Sequence, residues 1–508
     1  MVWRRKIRAS VRYAFCGTLV SGLISQGMGL FNKFSVRDDI DAMFGVGATY
    51  KSGRWMLGLL EEIYRFVFGC DPSSLPLTSG LAALLLLACT ACLFVSLLDI
   101  RNPLIAGLTG ALWASFPALT GLFGYMFTLP YYMIGLVMAA GGLYLICKGK
   151  NWMLGILGIL LTACSLGVYQ AFFPAALCGA LLYVIQSADC SQAKPLRLFL
   201  HAAWIAGAMI LSLILYFILN QLALNITQTK LTSYQGINQM GKEPISEYFS
   251  RIGLTYSLFL HPENLPDSLM YPLNSLKVYY AMIGFSALLS IWMTIQKSRE
   301  SIFRAGMMLA CVLLIPPAAN AIFIMSDPAT VHNLMPWGQM LPLLYFAWLT
   351  DRMSFGKERT RRVCRALLAS LLVILNVMYC QYDNQCYLRA ELTQQQAISY
   401  FTTLVTRIKS AEGYRDEYPV YVVGDWEEDL SIREIEELEH VKEYPYFNLH
   451  SYISGYSWKK YLRYWCGYAP RWKKGEEVRE LPEVIGMNLY PDDGSILVLD
   501  GKVILRFQ

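Results

Sequence analysis

The chain reads as a mainly α-helical, polytopic membrane protein with a small α/β domain at its C-terminal end. Three observations predict this. Of its 508 residues 55% are hydrophobic and only 16% charged, whereas soluble domains carry about 25% charged residues. Apolar stretches near 20 residues recur, long enough as helices to cross about 30 Å of hydrocarbon. After residue 382 the composition turns polar, with strand and hairpin signals in place of long apolar runs.

Taken in order, the candidate spans are 11–31, 75–98, 103–120, 130–147, 152–168, 171–187, 198–220, 276–296, 303–325, 333–350 and 366–382, about eleven transmembrane helices. The fifth and sixth are short and meet at "GVYQAFFP", so a single broken helix is an alternative for that pair. The first apolar stretch lacks a small-residue cleavage site and fits a retained span. Charge distribution then orients the chain. With the N-terminus inside, "WRRKIRASVR", "DIRNP", "KGKN", "QAKPLR", "QKSRESIFR" and "DRMSFGKERTRRVCR" share the cytoplasmic face, while "FGYMFTLP", "VYQ" and "SDPATVHN" on the other carry no Lys or Arg. The expected location is the cytoplasmic membrane, multi-pass, with the N-terminus inside and the C-terminal domain outside.

Two long segments, 32–74 and 221–275, fall outside in this arrangement and belong with a membrane domain of residues 1–382. Residues 383–508 form the second domain. "LRAELTQQQAISYFTTLVTRIKSA" has helical periodicity with polar faces, "YPVYVVGDW" is a β-rich run, and "SILVLDGKVILRF" alternates around Asp-Gly, a hairpin signal. The net charge of +6 is distributed between spans rather than in one patch, which argues against a nucleic-acid partner. Of thirteen cysteines, Cys89 and Cys92 make a C-x-x-C inside an apolar run, where packing is the better explanation, and no second pair completes a metal site.

The segment "NKFSVRDDIDAMFGVGATYKSGRW" concentrates the polar chemistry. Asp38, Asp39 and Asp41 stand together, with Arg37 before them and Lys51 and Arg54 after. A carboxylate near the membrane surface is a general base if a hydroxyl comes within about 3 Å. Arg37, Lys51 and Arg54 suit a phosphate, arginine by paired hydrogen bonds and lysine as a point charge. A solvated loop with local ion pairs accounts for the same residues. "MLGLLEEIYRFVFG", which follows, is amphipathic and suited to the interface plane. Tyr169 and Gln170 interrupt an apolar run and either contact a sugar or satisfy helix ends. His332 and Asn333, in "SDPATVHNLMPWGQM", enter a late span from outside and are further candidates for sugar or acceptor contact. Arg251 and His261 add polar groups to the second long segment. Motifs for phosphate loops, nucleophile elbows and H-E-x-x-H zinc sites are missing from the sequence.

The external Asp-Asp, the following "SGRW", "YQAFF" between spans and a C-terminal "PVYVVG" domain, in that order, resemble the bacterial serotype-converting (Gtr-type) membrane glucosyltransferases. These lie within the polytopic glycosyltransferases of the C-type fold, and the resemblance covers essentially the whole chain. It implies transfer of a hexose, often glucose, from a polyprenyl-phosphate carrier to a cell-surface polysaccharide or glycolipid, with inversion, on the external face. It implies that Asp38 or Asp39 takes the acceptor proton and that Arg54, Lys51 and Arg37 neutralise the leaving phosphate. Tyr169 and Gln170 would place the sugar. Many members of the wider fold carry an arginine at the start of a late span, where this chain offers His332. The residue set does not require a metal; the lipid-linked sugar is a substrate, and membrane lipid, a partner flippase and a donor-synthesising transferase are the implied partners. A glycolipid flippase or exporter is the alternative of a different class, and a non-catalytic glycan-binding protein a third.

Overall fold

The computed structural model describes residues 8–190, 193–232, 243–265, 274–354, 357–424, 435–441 and 457–507. Its helices in chain order are α1 Ala9–Phe31, α2 Arg37–Asp41, α3 Trp55–Phe68, α4 Pro76–Leu97, α5 Pro103–Ser115, α6 Pro117–Phe123, α7 Leu129–Lys148, α8 Trp152–Val168 and α9 Phe173–Cys190. They continue with α10 Pro195–Thr227, α11 Ile245–Leu260, α12 Ser275–Glu300, α13 Ile302–Leu313, α14 Ile315–Ala319, α15 Ile322–Met325, α16 Met340–Arg352, α17 Glu358–Ser410, α18 Trp458–Trp465 and α19 Pro482–Ile485. Four short strands complete the list: β1 Val420–Val423, β2 Trp472–Lys474, β3 Ile496–Leu499 and β4 Lys502–Arg506. The chain divides into two compact units, one of Met1–Lys33 with Phe44–Asn384, the other of Phe34–Met43 with Gln385–Gln508.

Seven helical stretches among the described residues are long and apolar enough to cross a membrane: α1, α4, α7, Gln170–Cys190 (α9 with the turn before it), α10 and α12 in the first unit, and α17, which begins there. Counting α5 with α6 as one span bent by 41° makes eight. That is fewer than the eleven expected from hydropathy, and proline explains most of the difference. Pro117 breaks the third expected span, and Pro316 and Pro317 follow the end of α13 so that 303–325 becomes three short helices. Pro336 precedes a 3-10 turn, Trp337–Gln339, ahead of the 13-residue α16. α8 has 17 residues and is capped at its start by the Asn151 side chain, which accepts from Leu154 N.

A helix broken among other helices leaves backbone groups that need partners from side chains. At the α5–α6 bend, the carbonyl of Ala114 accepts Ser25 Oγ at 3.0 Å and Gln26 Nε2 at 3.1 Å, both from α1. Thr120 of α6 donates to Asp383 of α17 at 2.7 Å, and Asn376 of α17 donates to Ser115 Oγ at 2.8 Å. Asp383 is fully buried. α1 and α5 cross so closely that a Cβ on Gly17 would lie 2.2 Å from the Gly107 carbonyl oxygen.

In the second unit the sheet order is β2-β1-β4-β3, with β1 parallel to both neighbours and β3 antiparallel to β4. The hairpin forms at the expected Asp-Gly: Leu499 pairs with Lys502, and Asp500 and Gly501 both take positive φ, 49° and 72°. Two positive values are what a type I′ turn requires. Tyr421, Val423, Val478, Val484, Met487 and Ile504 form the core against this sheet. The helical periodicity expected after residue 383 is present as the C-terminal half of α17, a single helix of 53 residues. α2 belongs to this unit, where Phe34 just before it stacks on Tyr387 at 5.9 Å between centroids.

Candidate functional site

The described polar cluster of the first unit is built around the turn that presents Arg54. Tyr50–Ser52 is a 3-10 turn closed by Gly53 with φ 68°, after which α3 begins. A side chain at position 53 would be strained by that φ. It would also have no room, because an added Cβ would lie 2.7 Å from Tyr216 Oη and 3.1 Å from Gln170 Nε2. Those two side chains grip the turn. Gln170 Nε2 donates to Ser52 O at 3.3 Å, Gly53 O at 3.2 Å and Tyr216 Oη at 2.8 Å, and Tyr216 Oη donates to Gly53 O at 3.1 Å. Gln170 and Tyr216 are both buried. Buried hydrogen bonds of this kind cost about 1–3 kcal/mol when one partner is removed, so the turn has one strongly preferred position.

Arg54 leaves this turn across a pair of stacked rings. Its guanidinium carbon lies 5.1 Å from the centroid of Tyr169 and 5.9 Å from that of Tyr132, and the two tyrosines stack at 4.3 Å and 16°. Phe172 meets Tyr169 edge-on at 5.4 Å and continues to Trp337 at 5.9 Å. This aromatic wall meets the cation with its π faces.

His332 completes the group from the segment ahead of α16. Its Nδ1 is sealed from solvent and has no hydrogen-bond partner among the described residues, although part of the side chain is exposed. Burial pushes the imidazole down to about 4, and the positive charge of Arg54 adds to the shift. His332 is therefore neutral near pH 7. Asn333 beside it is fully buried. Lys51 is exposed on the turn, with its carbonyl accepting Thr232 N at 2.9 Å.

Thus Arg54, Tyr169, Gln170 and His332 lie together, with Gln170 bonded to the turn through its amide nitrogen. Tyr216 was not singled out. Tyr216 is one hydroxyl in the apolar run "LSLILYFILNQL", and only its meeting with Gly53 gives it a role. Arg251 and His261 are engaged locally: Arg251 is buried between Glu243 and Glu247 and donates to Ser326 O, and His261 faces Glu263.

Arg37 and the three acids belong to the second unit and have three different surroundings. Arg37 opens α2 with φ 34°. Asp38 is exposed, Asp39 is fully buried and accepts Ser35 Oγ at 2.5 Å, and Asp41 pairs with Lys460 of α18 at 2.5 Å. None of the thirteen cysteines is in a disulfide bond, Cys70, Cys386 and Cys466 included. Among the described residues no three His, Cys, Asp or Glu side chains are grouped as metal ligands.

The long apolar helices are those of a multi-pass membrane protein, and the cation–aromatic cluster of Arg54 lies in its first unit. Residues 27–343 match the family described as Glucosyl transferase GtrII. The chain belongs to that family. The match takes in Arg54, both stacked tyrosines, Tyr216 and His332, and also α2. No curated protein matches the sequence. Among solved structures the chain is similar to the archaeal oligosaccharyltransferase AglB from Archaeoglobus fulgidus, in complex with an inhibitory peptide and a dolichol-phosphate, at 10% identity and a TM-score of 0.35. The similarity covers 86% of this chain and 64% of AglB.

Proposed function

We propose that this protein transfers a hexose, glucose in the first instance, from a polyprenyl-phosphate carrier to a cell-surface polysaccharide or glycolipid on the external face of the cytoplasmic membrane. The observation that carries this reading is Arg54, fixed by Gln170 and Tyr216 and laid over Tyr169 and Tyr132. A guanidinium held at a fixed turn suits a phosphate bonded to a sugar, since arginine donates paired hydrogen bonds to phosphate oxygens.

In the proposed reaction an acceptor hydroxyl attacks the anomeric carbon from the face opposite the phosphate. The new C–O bond forms as the bond to the phosphate oxygen breaks, with inversion, and its electron pair leaves on polyprenyl phosphate. Asp38 or Asp39 takes the hydroxyl proton. Arg54 offsets the negative charge that grows on the leaving oxygen, with Lys51 and Arg37 as further bases; donors aimed at developing charge are worth about 2.7–4 kcal/mol each. Tyr169 supports the sugar ring, and His332 and Asn333 offer polar contacts; His332 does so without adding a second positive charge. The N-terminus lies in the cytosol and residues 383–508 outside.

The test is transfer by the purified full chain from polyprenyl-phosphate glucose to an extracted surface glycan, read by mass analysis of the product. Transfer that disappears in Arg54→Gln supports the reading. A properly folded protein that transfers from none of a panel of polyprenyl-phosphate hexoses overturns it.

A further inference from the structure

A second cluster occupies the far ends of α9 and α10. Tyr183 and Ser187 on α9, Ala193 after it, and Arg197, Leu198, Leu200, His201 and Trp204 on α10 line a cavity of about 430 Å³. Arg197, Leu200, His201 and Trp204 follow the i, i+3, i+4, i+7 spacing of one helix face. Fifteen residues of α10 separate His201 from Tyr216, roughly 22 Å of helix, so the cavity is distinct from the Arg54 cluster.

Its rings are held from behind. Tyr183 Oη donates to Cys147 O at 3.1 Å and Trp204 Nε1 to Ile146 O at 3.3 Å, both carbonyls at the end of α7, and His201 meets Tyr183 edge-on at 5.9 Å. Lys148 Nζ lies 5.9 Å from the Tyr183 centroid while donating to Ser96 O at 2.6 Å. The Arg197 guanidinium is exposed and has no ion pair or hydrogen bond among the described residues. No Asp or Glu is among the described lining residues. From this mouth exposed Leu196, Phe199, Leu200 and Trp204 run along a helix apolar enough to cross a membrane.

We propose that this cavity binds the phosphate headgroup of an anionic glycerophospholipid, with Arg197 and His201 on the phosphate and the acyl chains along Leu200 and Trp204. Basic pockets between membrane helices take such headgroups. A free phosphate would leave the apolar track unused. A choline headgroup would bring a second cation to a ring face that Lys148 already approaches.

The experiment uses the full chain, purified in detergent and stripped of lipid, with thermal stabilisation titrated against phosphatidylglycerol, phosphatidylcholine and inorganic phosphate. Phosphatidylglycerol is expected to act at a concentration at least tenfold lower than phosphatidylcholine, and inorganic phosphate to have no effect. The Arg197→Gln/His201→Ala double variant is expected to lose most of that preference. Equal response to the two lipids, an equal response to inorganic phosphate, or an unchanged preference in the variant overturns the proposal. A photoactivatable phosphatidylglycerol on the wild-type chain gives a readout that does not depend on the variant folding: labelling within 183–204 supports the site, and labelling only elsewhere overturns it.

Discussion

The turn at Arg54 and the short helix of acids at 37–41 come from one continuous stretch of sequence, yet they are stabilised in opposite ways. The Arg54 turn is pinned through its backbone: two buried side chains hold the carbonyls of Ser52 and Gly53, and the Arg54 guanidinium lies over ring faces. Among the acids the side chains themselves are engaged, Asp39 by Ser35 and Asp41 by Lys460, while Asp38 is exposed. Pinning the backbone fixes the point from which the Arg54 side chain leaves the turn. Engaging the side chain makes neighbouring residues of identical chemistry unequal. This is why three aspartates within four positions are three different groups.

The acids offer the sharpest break of this comparison. If one of them is the general base, Asp38→Asn or Asp39→Asn lowers kcat for sugar transfer by about 10²–10⁴-fold, whereas Asp41→Asn, which loses an ion pair exposed at both ends, changes kcat less than about threefold. Steady-state transfer rates of the three variants decide it, and equal losses would show that the distinction drawn above is wrong. Next in size, Arg54→Gln is expected to cost about 10²–10³-fold in kcat, while Lys51→Gln, on the exposed side of the same turn, costs less than tenfold. A larger loss at Lys51 would move the phosphate contact away from the tyrosine wall.

Acid sensitivity comes third. The imidazole of His332 titrates near 4 in the fold against about 6.5 when unfolded. The unfolded chain therefore binds the proton first, and stability present above pH 6.5 falls as pH drops from 6.5 toward 4. Across that window the ceiling is about 3 kcal/mol. Thermal unfolding of the wild type should shift downward over this range more than that of His332→Gln, and parallel curves would remove His332 from the sealed position described here. The smallest effect is expected at Tyr216→Phe. Loss of one hydrogen bond to the turn, about 1–1.5 kcal/mol, should raise KM for the lipid-linked donor roughly fivefold to tenfold with kcat changed less. A Tyr216→Phe enzyme with normal KM would show that Gln170 alone holds the turn.

Much of this was legible in the chain. Apolar runs of membrane length located α1, α4, α7, α10 and α12, because a span must satisfy its own backbone and shows it as uninterrupted hydropathy. The Asp500-Gly501 hairpin was equally plain, since few residue pairs accept two positive φ values. The number of long helices was less so. Proline marks where a helix breaks, but whether the pieces on either side make one bent span, as at Pro117, depends on side chains such as Ser25 and Gln26 that take up the freed carbonyl. Tyr216 passed as an ordinary residue of an apolar run for the same reason, as its partner Gly53 lies 163 positions away in the chain.

By itself, then, the sequence determined that this is a membrane protein with long helices, a polar C-terminal unit and a loop dense in acids and bases, because hydropathy and local turn chemistry are properties of neighbouring residues. The tertiary structure alone decided which cation is set on an aromatic wall, which aspartate is buried and which histidine is kept neutral. Those outcomes depend on burial and on hydrogen-bond partners far apart in the chain, and no local pattern encodes them.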